Sequence, residues 1–204
     1  MKLLLATTNQ NKIREIRPLL AELPFELVAL VDLPPFAEPA ETRLTFWENA
    51  RDKALAYATA TGLMVVAEDS GLEIAALGGA PGVHSARFLG PDVPYPIRFD
   101  EIQKRLSAVP GTPRDARFVI ALAVVQGARV IFETEAGIDG VIAAAPAGMH
   151  GFGYDPIFFY PPLGKTTSEL TLDEKAAISH RARAFRDFVR WARRPEAWAL
   201  KPGP

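Results

Sequence analysis

Short apolar runs alternate with segments of helical period through the first half of this chain and then cease to alternate, an order that a mixed α/β sheet accommodates and a purely parallel one does not. Residues 2–6 form an apolar run closed by Thr7-Thr8-Asn9, after which Ile13, Ile16, Leu19 and Leu20 recur at helical spacing up to Pro24. Residues 25–30 read as a second strand, followed by a Pro/Glu-rich loop over 32–43. Thr45-Phe46-Trp47-Glu48 has the form of a capping box, and Ala50, Ala54 and Ala58 share one face of a helix running to about Thr61. Residues 63–67 then read as a strand ending at Glu68-Asp69-Ser70-Gly71, which puts two carboxylates at the kind of strand end where open α/β sheets build sites. Residues 78–82 form a turn or flap, and 95–106 are helical behind Pro94.

Beyond that helix, 117–125 and 130–136 form a hairpin around Gln126-Gly127-Ala128 with no helix between them. A glycine- and aromatic-rich loop from Gly148 to Pro156 enters the run 157–160. Thr171-Leu172-Asp173-Glu174 is a second capping box, opening a helical region with Ala176, Ala177, Phe185, Phe188 and Val189 before a Pro/Trp tail from Pro195. No repeat or linker interrupts this order. We expect one domain over 1–204 with an inserted lobe at about 112–145.

Composition excludes several classes. In 204 residues, 23 Lys and Arg face 24 Asp and Glu, and 49% of residues are hydrophobic, which argues against a disordered chain, a polybasic membrane adsorber or a nucleic-acid coat. No cysteine is present, so thiolate metal sites, disulfides and a cysteine nucleophile are absent by count. Apolar stretches such as 119–125 are far too short for a membrane span, and the N-terminus lacks the form of a signal peptide. The expectation is a cytoplasmic, soluble protein that binds neither membrane nor polymeric nucleic acid. Three Asn and three Gln against sixteen Arg, with 18 Pro mostly in loops, lean toward heat adaptation.

Four constellations could carry chemistry. Thr7, Thr8, Asn9, Gln10, Asn11 and Lys12 lie between a strand and a helix, where backbone N–H groups, hydroxyls and a lysine converge on a phosphate; the alternative is a polar loop with Asn9 or Asn11 as helix cap. Glu68-Asp69-Ser70 suits a hard cation such as Mg²⁺, or is an acidic turn, with Glu38 and Glu41 in the loop before it and Glu48 and Lys53 on the helix. Phe152, Gly153, Tyr154 and Asp155 offer aromatic faces and a close backbone approach for a base, or form an aromatic corner under a turn. Lys175, His180 and Arg181 are a cationic trio for phosphate or a purine carbonyl, or a solvated helix face. Together they fit metal-assisted attack of water on a nucleotide phosphate.

Seven blocks in order then resemble a known family: Thr7-x-Asn9-x-x-Lys12, Thr45-Phe46-x-Glu48-Asn49-Ala50, Glu68-Asp69-Ser70-Gly71-Leu72, Leu77 to Gly82, Ser85-Ala86-Arg87, Gly151 to Pro156, and Glu174-Lys175 with Ser179-His180-Arg181. The chain resembles the inosine/xanthosine triphosphate pyrophosphatases, which hydrolyse non-standard purine nucleoside triphosphates (ITP/dITP, XTP/dXTP) to monophosphate and pyrophosphate. The resemblance implies an elongated mixed α/β fold with a cleft between two lobes, working as a homodimer with Mg²⁺. It implies that residues Thr7 to Lys12 hold the triphosphate with Lys53 as a further contact. Asp69 is then proton acceptor and metal ligand, with Glu41 and Glu68 as further ligands, and Ser70 touches substrate. Phe152 to Asp155 form the base-side wall, and Lys175, His180 and Arg181 grip the nucleotide. Thr8 stands where many relatives carry glycine, so this loop must use ordinary dihedrals. The rival readings are a related pyrophosphatase for other modified nucleotides and a non-catalytic nucleotide-binding protein.

Overall fold

A computed structural model describes residues 1–108 and 111–198. Residues 199–204 of the expected Pro/Trp tail lie outside the described residues. The strands are β1 (Lys2–Leu5), β2 (Glu26–Ala29), β3 (Met64–Ile74), β4 (Asp115–Gln126), β5 (Arg129–Ile142), β6 (Phe158–Tyr160) and β7 (Lys165–Thr166). The helices are α1 (Gln10–Leu20), α2 (Phe46–Thr61), α3 (Tyr95–Ser107), α4 (Leu172–Ile178) and α5 (His180–Ala192). All seven strands join one sheet in the order β2-β1-β3-β4-β5-β6-β7. β1 runs parallel to both neighbours, Leu3 facing Leu27 and Met64, whereas β6 is antiparallel to β5 and β7. The mixed α/β sheet expected from the order of elements is therefore the fold.

Contacts divide the chain into two compact units, Met1–Asp69 with Ala121–Glu135 and Arg181–Pro204, and Ser70–Ile120 with Ala136–His180. In the first, Leu3, Leu4 and Leu5 of β1 are buried, as are Ile13, Ile16 and Leu20 of α1 and the Ala50, Ala54 and Ala58 face of α2. Helix α2 begins where the Thr45 hydroxyl accepts the Glu48 N–H and ends where Gly62, at φ 68°, returns its N–H to Ala58. Phe185 and Phe188 of α5 are fully buried, as their spacing predicts. In the second unit one apolar cluster joins Leu72 and Ile74 of β3, Phe99 and Ile102 of α3, Phe118 of β4, Tyr154 and Phe158. No helix of the described residues is long and apolar enough to cross a membrane.

Three expectations about elements need correction. The strand expected to end at Ala67 continues to Ile74, so Glu68 and Asp69 are mid-strand and buried; their partners, described below, remove the reason for charge to end a strand. The second hairpin strand runs to Ile142 because Gly137 and Gly140 are close-approach positions within it: a Cβ on Gly140 would lie 2.6 Å from the Phe159 carbonyl oxygen. The C-terminal helical region breaks at Ser179, which is extended (φ −60°, ψ 149°), so α4 and α5 are separate helices. Ala176 and Ala177 are not core residues; on α4 it is Lys175 that is buried.

Candidate active site

The first unit carries the phosphate-type groups. Asn9 caps α1, its Oδ1 accepting the Asn11 and Lys12 N–H groups at 2.9 and 3.3 Å, and Thr7 Oγ1 accepts the Asn9 N–H. Thr8, Asn9 and Gln10 are exposed, while the Asn11 side chain accepts from Arg14 within the helix. Thr8 has no left-handed φ; Leu89 is the non-glycine residue with one among the described residues. The capping role read as an alternative for Asn9 is present, and it satisfies two of the N–H groups that the start of α1 leaves without a partner in the helix.

Lys12 extends from that first turn to β3, its ammonium 2.6 Å from Glu68 Oε1, and Arg181 approaches the same oxygen at 3.6 Å. Both Glu68 oxygens are buried, and Oε2 has no hydrogen-bond donor among the described residues. Arg181 also donates to Glu15 Oε2 at 2.7 Å. Lys53, on α2, pairs with Glu41 and donates to the Glu68 carbonyl oxygen at 3.1 Å. Asn49 Nδ2 donates to Asp69 Oδ2 at 2.9 Å. Glu15 and Asn49 belong to this cluster of bonded side chains, and the sequence reading gave neither a role. Asn49 had a signal, a polar residue amid the buried alanine face of α2, which demands a partner. Glu15 had none, because its partner is 166 positions away.

The two adjacent carboxylates titrate in opposite directions. Burial alone would raise Glu68, but Lys12, Arg181 and Lys53 outweigh it and hold the group well below the usual carboxylate range. Asp69 is pushed up to about 6, by burial first and then by the charges of Glu41 and Glu68, against the relief given by Lys53 and Asn49. Burial opposes the charge on Lys53, yet the carboxylates of Glu41, Glu68 and Asp69 leave it raised.

The second unit carries the base-type groups. Phe152 is half-buried, and its N–H donates to Asp155 Oδ2 at 2.8 Å. Lys175 forms an ion pair with that same oxygen, with its ammonium 5.0 Å from the centre of the Phe152 ring. Thr167, another residue without a role in the sequence reading, donates to Asp155 Oδ1 at 2.8 Å. Gly151, at φ 73°, lies so close that a Cβ there would meet Asp155 Oδ2 at 2.1 Å. Tyr154 has the form of the alternative aromatic corner: it is buried, its ring meets Tyr95 edge-on at 5.2 Å, and its hydroxyl donates to the Ser85 carbonyl. Burial pushes its phenol up to about 12. Gly153 takes a left-handed φ of 65°, Ser70 is half-buried in β3, and His180 is buried with its ring stacked on Phe118 at 5.0 Å. The solvated-face alternative for Lys175, His180 and Arg181 is wrong, since all three are buried.

No three His, Cys, Asp or Glu side chains assemble as a ready metal cage among the described residues. Mg²⁺ needs no such cage, because it takes one or two carboxylates and completes its shell with phosphate and water. Glu68, held ionised and with its buried Oε2 lacking a hydrogen-bond donor among the described residues, has the ligand chemistry such an ion requires.

Residues 3–191 match the model of the Ham1 family. Proteins described as dITP/XTP pyrophosphatases are 48% identical in Syntrophobacter fumaroxidans, over 190 residues covering 92% of this chain and 80% of the relative, and 48% identical in Gloeobacter violaceus, over 188 residues covering 92% of each. Among solved structures, a HAM1 protein from Coxiella burnetii superposes with a TM-score of 0.83 at 35% identity, covering 93% of this chain and 97% of that one. A nucleoside-triphosphatase / dITP/XTP pyrophosphatase from Mycobacterium abscessus gives 0.73 at 40% identity, covering 92% and 97%. Likeness of sequence and of fold along nine-tenths of its length makes this chain a member of the Ham1 family.

Proposed function

We propose that this protein hydrolyses non-standard purine nucleoside triphosphates, dITP/ITP and XTP/dXTP, to the nucleoside monophosphate and pyrophosphate, clearing them from the nucleotide pool. The observation that carries this reading is the pair of neighbouring carboxylates on β3, Glu68 held ionised and Asp69 raised to about 6, a separation of acid–base roles suited to activating water near neutral pH. The names of the family's dITP/XTP pyrophosphatases support the substrate class.

In this mechanism Asp69 accepts the proton of the water that attacks the α-phosphorus in line, with Asn49 fixing the carboxylate. Lys12 and Lys53, which now face Glu68 and Glu41, turn to the phosphate oxygens and neutralise the departing pyrophosphate. Thr7, Thr8, Asn9, Gln10 and Asn11 line the triphosphate at the start of α1. Glu68 and Asp69, with Glu41, would hold Mg²⁺, which supplies charge neutralisation to the triphosphate when bound. Phe152 presents its ring to the base, with Lys175 held beside it by Asp155, with Gly153, His180 and Ser70 completing the nucleoside side and with Tyr154, buried as an aromatic corner, supporting the turn from beneath. A 6-keto oxygen accepts from such cationic donors, whereas the amino group of adenine leaves them unpaired, which is a basis for rejecting ATP. The enzyme acts in the cytoplasm as a homodimer.

Incubation with ITP, XTP, GTP and ATP in Mg²⁺, with and without EDTA, tests this when monophosphate, pyrophosphate and orthophosphate are quantified separately. The expected result is IMP and XMP with pyrophosphate, GTP and ATP nearly untouched, and no turnover in EDTA. Orthophosphate as first product would move the attack to the γ-phosphorus and overturn the mechanism. Sedimentation at micromolar concentration should give the mass of a dimer, and a stable monomer would contradict that assignment.

A further inference from the structure

Arg98, in the first turn of α3, is 2% exposed, and its guanidinium directs all five N–H donors at backbone carbonyls. Nε donates to Val93 at 2.9 Å, Nη1 to Ser85 and Ala86 at 2.9 and 2.7 Å, and Nη2 to Gly90 and Pro91 at 3.0 and 3.3 Å. The guanidinium also lies over the face of Tyr95, 4.8 Å from its carbon to the ring centre. A cation taken out of water is tolerated only when its donors are satisfied, so five fixed bonds impose a conformation on the segment that supplies the carbonyls. That segment includes the short turn Gly82–Arg87.

Ser85 in this turn is tied to two stretches that carry proposed substrate groups. Its Oγ donates to the Gly82 carbonyl and accepts the Leu72 N–H at 2.9 Å, fixing β3 two residues beyond Ser70. Its carbonyl oxygen accepts from Arg98 and also from the Tyr154 hydroxyl, each at 2.9 Å, fixing the turn 152–155 from within. We infer that Arg98 is a positioning residue for nucleobase recognition, holding Ser85 so that Tyr154 sets the aim of Phe152 and Asp155. The inference rests on the proposed function, in which that turn meets the base. Arginine is required because an ammonium offers at most three donors and no planar fork.

The test compares KM for inosine triphosphate with inhibition by inorganic tripolyphosphate, which has phosphates and no base. Arg98→Lys should raise KM about tenfold or more while kcat stays within about threefold, because binding geometry suffers and the reacting groups do not. Tripolyphosphate inhibition should be unchanged. Tyr154→Phe should shift KM in the same direction, and the double variant should fall short of the product of the two effects, since both residues act through one carbonyl. Arg98→Lys with a lowered melting temperature and unaltered KM would reduce the residue to a structural role and overturn the inference, as would KM and the tripolyphosphate inhibition constant rising together. If Arg98→Lys does not fold, Tyr154→Phe decides, and an unchanged KM refutes. Wild-type protein that releases no pyrophosphate from inosine triphosphate removes the proposed function and this role with it, whereas an active wild type with an indifferent Arg98→Lys removes the role alone.

Discussion

Glu68 and Asp69 are consecutive, both buried, and separated in behaviour by their partners. Two cations reach the Glu68 carboxylate, while Asp69 receives an amide donor and the repulsion of its acidic neighbours. The signs follow. A carboxylate raised from 3.8 to about 6 takes up protons in the folded state that it lacks when unfolded, so its contribution to stability is present below about pH 4 and is lost as pH rises through 6. Asp69→Asn should therefore raise unfolding free energy at pH 8 by on the order of 2 kcal/mol in the absence of divalent cation, with the gain fading toward pH 4. The same substitution should lower turnover by on the order of 10³-fold through loss of the proton acceptor. Guanidinium titrations at the two pH values and a pyrophosphate-release assay check both halves; activity within tenfold of wild type would remove Asp69 from the mechanism.

Elements in this chain end where tertiary contacts allow, and glycine in β5 illustrates the point. Residues 137 and 140 have the form of strand breakers in sequence, yet β5 passes through both to Ile142. The reason is space: the Phe159 backbone oxygen and the Phe158 ring occupy the volume a Cβ on residue 140 would need. Gly140→Ala should cost about 1–3 kcal/mol, because the contact is with backbone that has no rotamer to change. A denaturant midpoint indistinguishable from wild type would contradict that close approach. Ser179 is the converse case, an ordinary helix residue by sequence that takes an extended conformation and makes His180 the first residue of α5 instead of a mid-helix position.

At the scale of the whole molecule, the balance of 23 cationic and 24 anionic side chains is organised partly into pairs such as the bidentate Arg51–Glu133 and the Arg43–Asp52 contact. Such pairs add little singly at room temperature and more as temperature rises, when ion desolvation becomes less costly. With three Asn, three Gln and 18 Pro, they lead to an expected melting temperature above about 90 °C by calorimetry. A melt near 50 °C would refute it.

Sequence by itself determined the class of fold and most of its main elements, because hydrophobic period and cap residues are local: the α1 stripe of Ile13, Ile16 and Leu20, the Thr45 start and Thr61 end of α2, and the Thr171 capping box all stand as read, while the short strand β7 and the break between α4 and α5 do not show in it. Motif spacing also singles out Lys12, Glu68, Asp69, Asp155 and Lys175. Only the tertiary structure decided what those groups are bonded to. Pairing of Arg181 with Glu15, of Thr167 with Asp155 and of Arg98 with five carbonyls joins residues through folding alone, and the cations gathered at Glu68 keep it charged against its burial. Local patterns are legible one residue at a time; partner choice and desolvation are properties of the packed chain.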